Sequence, residues 1–149
     1  MIRYSTSSIF DVGINVLVNP VNCFGVMGKG LALEFKNRYE RNFRLYKEHC
    51  SNKNMKIGKM FPCEDKDTLV INFPTKLHWK DPSRLEYIEE GLKDLVDVIN
   101  LYSINGIAIP KIGCGLGGLE WRDVDRLINS YLGKLDNIDV VLCVGIEDI

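Results

Sequence analysis

The most regular hydrophobic pattern in the chain runs from Leu85 to Tyr102. Leu85, Ile88, Leu92, Leu95, Val96, Ile99 and Tyr102 recur at helical spacing and predict one buried stripe of a helix. Ser83-Arg84-Leu85-Glu86 has the form of a capping box and predicts that helix's start. A second helical pattern carries Phe35, Tyr39, Phe43 and Tyr46 on one face, with Arg41, Arg44 and Lys47 towards the other. Trp121 to Leu132 predicts a third helix. Between these lie short apolar runs that read as strands: Asn15–Asn19, Gly58–Phe61, Thr68–Phe73, Gly106–Pro110 and Ile138–Val144. Glu64-Asp65-Lys66-Asp67 reads as a turn. Strands alternating with helices predict an α/β fold around a mainly parallel sheet. No repeat, low-complexity tract or linker divides the chain, which is read as one domain over residues 1–149.

Composition agrees with that reading. The chain has 149 residues, 46% hydrophobic and 26% charged, which suits one core and argues against disorder. No apolar run is long enough for a membrane span, and Met1 to Ser5 lacks the apolar region of a secretory signal. Five cysteines (Cys23, Cys50, Cys63, Cys114, Cys143), with no Cys-x-x-Cys pair, are expected to be reduced thiols in a cytoplasmic protein. With only His49 and His78 besides, no metal site is expected. The net charge of -1 hides a basic segment: residues 36–59 hold eight Lys or Arg against Glu40 and Glu48. That segment is either a solvated helix face or a surface that steers a polyanion such as nucleic acid.

Two glycine-bearing loops carry the candidate chemistry. Asn22 to Gly30 and Gly113 to Gly118 each leave a strand and enter a helix. In open α/β sheets ligands bind at that end of the strands, where glycines let main-chain N–H groups approach an anion. Side by side, the two loops would cradle a pyrophosphate without many basic side chains; alternatively they are structural turns. Gly28-Lys29-Gly30 lacks the Ser or Thr that a P-loop needs after its lysine. Gly113-x-Gly115-x-x-Gly118 matches a dinucleotide fingerprint, but only one strand follows it, too few for the fold that fingerprint requires.

Three segments together resemble the macrodomain family, the ADP-ribose-binding three-layer α/β/α fold with a mixed, mainly parallel sheet. They are Val18 to Ala32, Ile71-Asn72-Phe73-Pro74-Thr75-Lys76-Leu77-His78-Trp79, and Ala108 to Trp121. The middle segment is similar to that of terminal ADP-ribose glycohydrolases and DNA ADP-ribosyl glycohydrolase antitoxins. The resemblance implies Lys76 as the amine that attacks the anomeric carbon and Asn22 as the residue that orients the distal ribose. It implies a ligand-binding set of Ser8, Ile9, Asn19, Gly25, Val26, Met27, Gly28, Gly30, Thr75, Gly113, Cys114, Gly115, Leu116, Gly117 and Gly118, with no cofactor. Two positions depart from the family. Ser8 stands where most members carry the Asp that reads adenine, so adenine recognition is either weaker or passes through the Ile9 N–H. Gly117 stands where hydrolases acting on protein carboxylates carry an Asp, which favours a nucleic-acid-linked substrate. The resemblance therefore implies an ADP-ribosylhydrolase acting on a modified nucleobase or related acceptor, nucleic acid in preference to a protein carboxylate; a monomer is expected. A phosphatase of ADP-ribose 1″-phosphate, a deacylase of O-acetyl-ADP-ribose and a non-catalytic ADP-ribose-binding module would use the same cradle.

Overall fold

Strands that are apolar on both faces must be covered on both, and the computed structural model, which describes residues 1–149, resolves this demand in three layers. Six strands, β1 (Ile2–Ser5), β2 (Val16–Asn22), β3 (Phe61–Asp65), β4 (Thr68–Lys76), β5 (Gly106–Ile109) and β6 (Asp139–Cys143), form one sheet in the order β1-β6-β5-β2-β4-β3. All neighbours are parallel except β3, which runs antiparallel to β4 at the edge. The helices are α1 (Gly30–Arg38), α2 (Glu40–Ser51), α3 (Leu85–Leu101) and α4 (Trp121–Leu132).

The period-two geometry of a strand sorts the core. Val18, Ile71, Phe73, Ile107, Ile109, Val140 and Leu142 face α3 and α4, meeting Ile88, Leu92, Leu95, Val124, Ile128 and Leu132. Their alternates Leu17, Val70 and Ala108 face the other way, onto Phe35 of α1 and Ile9. Val21 meets Met27, Tyr46 and Cys50 on the same side. No helix is long and apolar enough to cross a membrane.

Several expected elements differ in detail. β1 escapes the hydrophobic pattern because it is a half-exposed edge, secured by pairing to β6 and by the Arg3–Asp139 ion pair at 3.0 Å. The strand expected at Gly58–Phe61 is displaced to Phe61–Asp65, so the turn after it shrinks to Lys66-Asp67. The aromatic-striped helix breaks at Tyr39, whose backbone leaves the helical region (φ −127°, ψ 77°). Phe35 and Tyr46 thereby enter different clusters of the core. Tertiary bonding supplies what α2 lacks locally, since Asn42 N–H donates to buried Asp65 at 2.9 Å. The capping box at Ser83 is not formed. α3 starts after Arg84 with no side-chain cap, and Ser83 is turned towards the second glycine loop, its N–H donating to Gly117 O at 3.0 Å.

Gly91 lets α3 lie directly on β4: a Cβ there would come within 2.3 Å of the buried Phe73 ring. Alanine would gain about 1 kcal/mol of helix propensity. Overpacking a filled core costs about 1–3 kcal/mol. Gly91→Ala is therefore expected to lower the urea midpoint; a midpoint equal to or above the parent's would show that this contact is not tight.

Candidate active site

β2 lies between β5 and β4, and all three run parallel, so the loops that follow them leave at the same end of the sheet. Asn22, the last residue of β2, is in register with Lys76, the last of β4, just past an irregularity between Val21 and Asn22. Cys23 N–H donates to Lys76 O at 2.9 Å. The loop after β4 is tied in turn to the loop after β5 through Ser83 N–H and Gly117 O. The two glycine loops and Lys76 therefore form one constellation. A hollow of about 250 Å³ lies at the opposite end of the sheet, beside Asn15, Glu64, Asp67 and Thr68, and includes none of these groups.

Asn22 is the organiser of the first loop. Its Oδ1 accepts from the N–H groups of Phe24, Gly25 and Val26 at 3.0, 3.0 and 3.3 Å, and its Nδ2 donates to Val26 O at 2.8 Å. Tyr46, fully buried beneath, donates to Asn22 O at 2.8 Å and lies 3.0 Å from Asn22 Oδ1. Burial pushes the Tyr46 phenol far above its ordinary range, so it remains a donor. This hooked turn requires the positive φ of +106° at Gly25, a conformation only glycine adopts freely. Beyond the hook, the N–H groups of Met27 to Ala32 donate to no protein group, and Lys29, at the start of α1, gives no side-chain cap. An uncapped helix start with open N–H groups before it is an anion site in the making.

The second loop turns back on itself through Gly118 N–H to Cys114 O at 3.1 Å and Leu119 N–H to Gly113 O at 3.0 Å. The N–H groups of Gly115, Leu116 and Gly117 between these bonds meet no protein acceptor. Gly117 is packed from below. A Cβ there would fall 2.4 Å from Gly113 O and 2.5 Å from Ser83 Oγ. The loop in this form excludes any side chain at 117, including a carboxylate. Two buried polar atoms lack a partner, Asn19 Oδ1 and Ser83 Oγ. Asn19 lies beside Met27 of the first loop and Ser83 under Gly117 of the second. Such unmet groups are uncommon in a folded protein and cluster at working sites.

Lys76 is half-buried, its Nζ 3.3 Å from Trp79 O. Burial lowers its pKa below the ordinary lysine range, opposed by the nearby carboxylate of Asp81. The loop cysteines lack this activation: burial pushes Cys23 and Cys114 up to about 11, leaving both as thiols. No group of three His, Cys, Asp or Glu side chains is placed to hold a metal.

The remaining expected site residues divide. Gly28, Gly30, Gly115, Leu116 and Gly118 are exposed at the cradle. Ser8 caps a short 3-10 turn, accepting from Phe10 N–H at 3.2 Å, and Ile9 N–H has no protein acceptor. Ile9 itself packs with Leu17 and Phe35, and Leu31 of α1 lies against that cluster. Asn19 and Thr75, expected among the ligand-binding residues, are both buried. Asn19 is fully buried and bonded to Asn72 at 3.1 Å, and Thr75 turns inward to Val21 O at 3.4 Å. Several members of the basic segment are drawn into local contacts within the protein. Arg38 packs on Phe10, Lys36 on Phe43 and Arg41 on the Glu64 carbonyl, while the Lys47 stem lies under Gly25. Tyr46 and Ser83, unforeseen at the site, were masked by their own patterns, an aromatic stripe and an apparent cap.

Comparisons with known proteins show what the whole chain is similar to. The DNA ADP-ribosyl glycohydrolase of Mycobacterium tuberculosis is 44% identical over 146 residues, covering 95% of this chain. The chain spans 42% of the length of that relative. The solved macrodomain of Mycobacterium tuberculosis DarG superimposes with a TM-score of 0.93 at 44% identity, covering 96% of this chain and 97% of that one. Thermosipho africanus DarTG in complex with ADP-ribose superimposes with a TM-score of 0.90 at 34% identity, covering 98% of this chain and 42% of that one. The Macro domain family model matches residues 18–128, and the chain belongs to that family.

Proposed function

We propose that this chain is a DNA ADP-ribosyl glycohydrolase: it binds ADP-ribose in the two-loop cradle and cuts the bond between the distal ribose and a modified nucleobase. The observation that carries the reading is a lysine of lowered pKa at the same end of the sheet as two runs of unpaired main-chain N–H groups, one strand from the first run and two from the second. The open amides of Met27 to Ala32 and Gly115 to Gly117 take the diphosphate, and Ile9 N–H is available to the adenine. One Nδ2 hydrogen of Asn22 shapes the loop; the other has no partner and meets the distal ribose. Holding the sugar here makes the attack of Lys76 effectively intramolecular.

In that attack the neutral Lys76 amine forms a bond to the anomeric carbon as the bond to the base breaks. The base leaves with the bonding electrons and takes one amine proton. Ring opening gives a Schiff base, and water then adds to it, releasing ADP-ribose and restoring the amine. Burial favours the neutral amine that this step needs. A single copy of the chain supplies every group named, so the monomer suffices. Five free thiols suit a reducing compartment such as the cytoplasm. The basic segment contributes to nucleic-acid contact through Lys47, its member at the cradle.

The decisive assay offers ADP-ribosylated DNA, ADP-ribosylated protein and ADP-ribose 1″-phosphate in parallel. Release of ADP-ribose from DNA alone is expected; release of phosphate, or cleavage only of protein, would displace the reading. Lys76→Ala is expected to lower turnover on the order of 10⁴-fold, the scale of losing one member of a catalytic set. Its calorimetric affinity for ADP-ribose should stay near the parent's, and normal turnover would reject Lys76 as the nucleophile.

Because the pKa is lowered, the neutral fraction rises with pH and saturates earlier than for an ordinary lysine. The turnover rate should therefore climb with pH and level off at a lower pH than an ordinary lysine would give; a flat profile contradicts the proposed step. Gly117→Ala must displace the second loop and is expected to weaken ADP-ribose binding by about tenfold, equivalent to about 1.4 kcal/mol. Unchanged affinity would show that this loop does not hold the ligand.

A further inference from the structure

Immediately beyond the ends of β2 and β4, three aromatic rings from two different loops stand in a row. Phe24 of the first loop lies 4.3 Å, centroid to centroid, from His78, and His78 lies 5.5 Å from Trp79. Core rings are covered, but the outer two of these are not: Phe24 is 58% exposed and Trp79 46%, with Leu77 beside them at 54%, while His78 between them is half-buried. The row is held in place. Lys80 N–H donates to His78 Nδ1 at 3.1 Å, Lys76 Nζ donates to Trp79 O, and Phe24 N–H donates to Asn22 Oδ1. Ordered aromatic surface left in water gains free energy when another flat apolar face covers it.

The charge around the row selects the kind of face. Residues 76 to 84 carry Lys76, Lys80 and Arg84 against Asp81 alone. Lys80 Nζ stands 5.1 Å from the Trp79 ring centroid, and the Lys47 stem lies under the neighbouring Gly25. Flat rings interleaved with ammonium groups suit alternating bases and phosphates. A duplex offers groove edges and hides its base faces in the stack, so only an unpaired strand presents faces to such a row.

We propose that Phe24, His78 and Trp79 form a stacking ledge for single-stranded DNA, engaging bases at and beside the modified nucleotide and presenting its sugar linkage to Lys76. The proposal deepens the glycohydrolase reading and rests on it for the position of the modified base. The ledge selects strand state more than base identity, because every base has a stacking face.

The test uses the full chain, a fluorescent unmodified single-stranded dodecamer, its duplex, and the same strand carrying ADP-ribose. The parent is expected to bind the single strand more tightly than the duplex, with affinity falling as salt rises. Phe24→Ala and Trp79→Ala should each weaken that binding, and raise KM on the ADP-ribosylated strand, by roughly 5-fold or more. Trp79→Phe, which keeps a ring, should restore most of the loss. Calorimetric affinity for free ADP-ribose should be unchanged in all three variants. Equal binding of duplex and single strand, or indifference of both binding and KM to the two alanine variants, overturns the ledge. A parallel fall in ADP-ribose affinity also overturns it, by showing a structural role. Absence of turnover with ring-dependent strand binding would instead remove the glycohydrolase reading and leave the ledge standing.

Discussion

Main-chain N–H groups without a carbonyl to meet are the constraint around which the active end of this molecule is arranged. Ordinary packing would pair them or cap them with a Ser, Thr, Asp or Asn side chain. Here the first turn of α1 starts behind Lys29 with no side-chain cap, and the second loop closes its own bonds around Gly115 to Gly117 without using their N–H groups. Such donors must find solvent or a ligand. A diphosphate supplies several acceptors at once and also answers the positive end of a helix dipole. A chain of net charge -1 can thereby offer an anion a place with little help from basic side chains.

Keeping these groups open requires support from below. Asn22 hooks the first loop and Tyr46 braces Asn22. Beneath them a buried amide network links Asn19 to Asn72 and Asn72 to Asn42, and Asn42 is tied through its N–H to Asp65 at the sheet edge. Ser83 performs the matching task for the second loop. The same packing determines what the site lacks. Gly113 O and Ser83 Oγ stand where a Cβ at 117 would have to go, so the missing carboxylate is a property of the loop's shape as well as of its sequence. Lys76 is left as the basic group of the constellation, and burial tunes it towards the neutral amine.

Much of this was legible before any coordinates. The α/β class, α3, α4 and the central strands followed from periodicity, because apolar positions buried on both faces of parallel strands make unbroken runs. The macrodomain resemblance rested on three motifs, and the fold brings all three to one end of the sheet. What escaped was decided by tertiary contacts. β1 is an edge whose partner lies far away in sequence, and β3 took its register from β4 rather than from its own apolar residues. Tyr39 broke a helix that its ring spacing favoured, since Phe35 and Tyr46 serve different clusters. Ser83 has the local pattern of a capping box, while its partner in the fold is Gly117. Asn19 and Thr75 belong to the motif but face inward, a direction that identity and spacing alone do not reveal.

The central claim is that two separate backbone segments converge on one diphosphate. The most direct measurement is a nitrogen-15 NMR titration of the amide resonances with ADP-ribose. Met27 to Ala32 and Gly115 to Gly117 are expected to shift together along one binding curve, with the largest changes in the protein. Shifts confined to one of the two segments, or two curves with different midpoints, would contradict it.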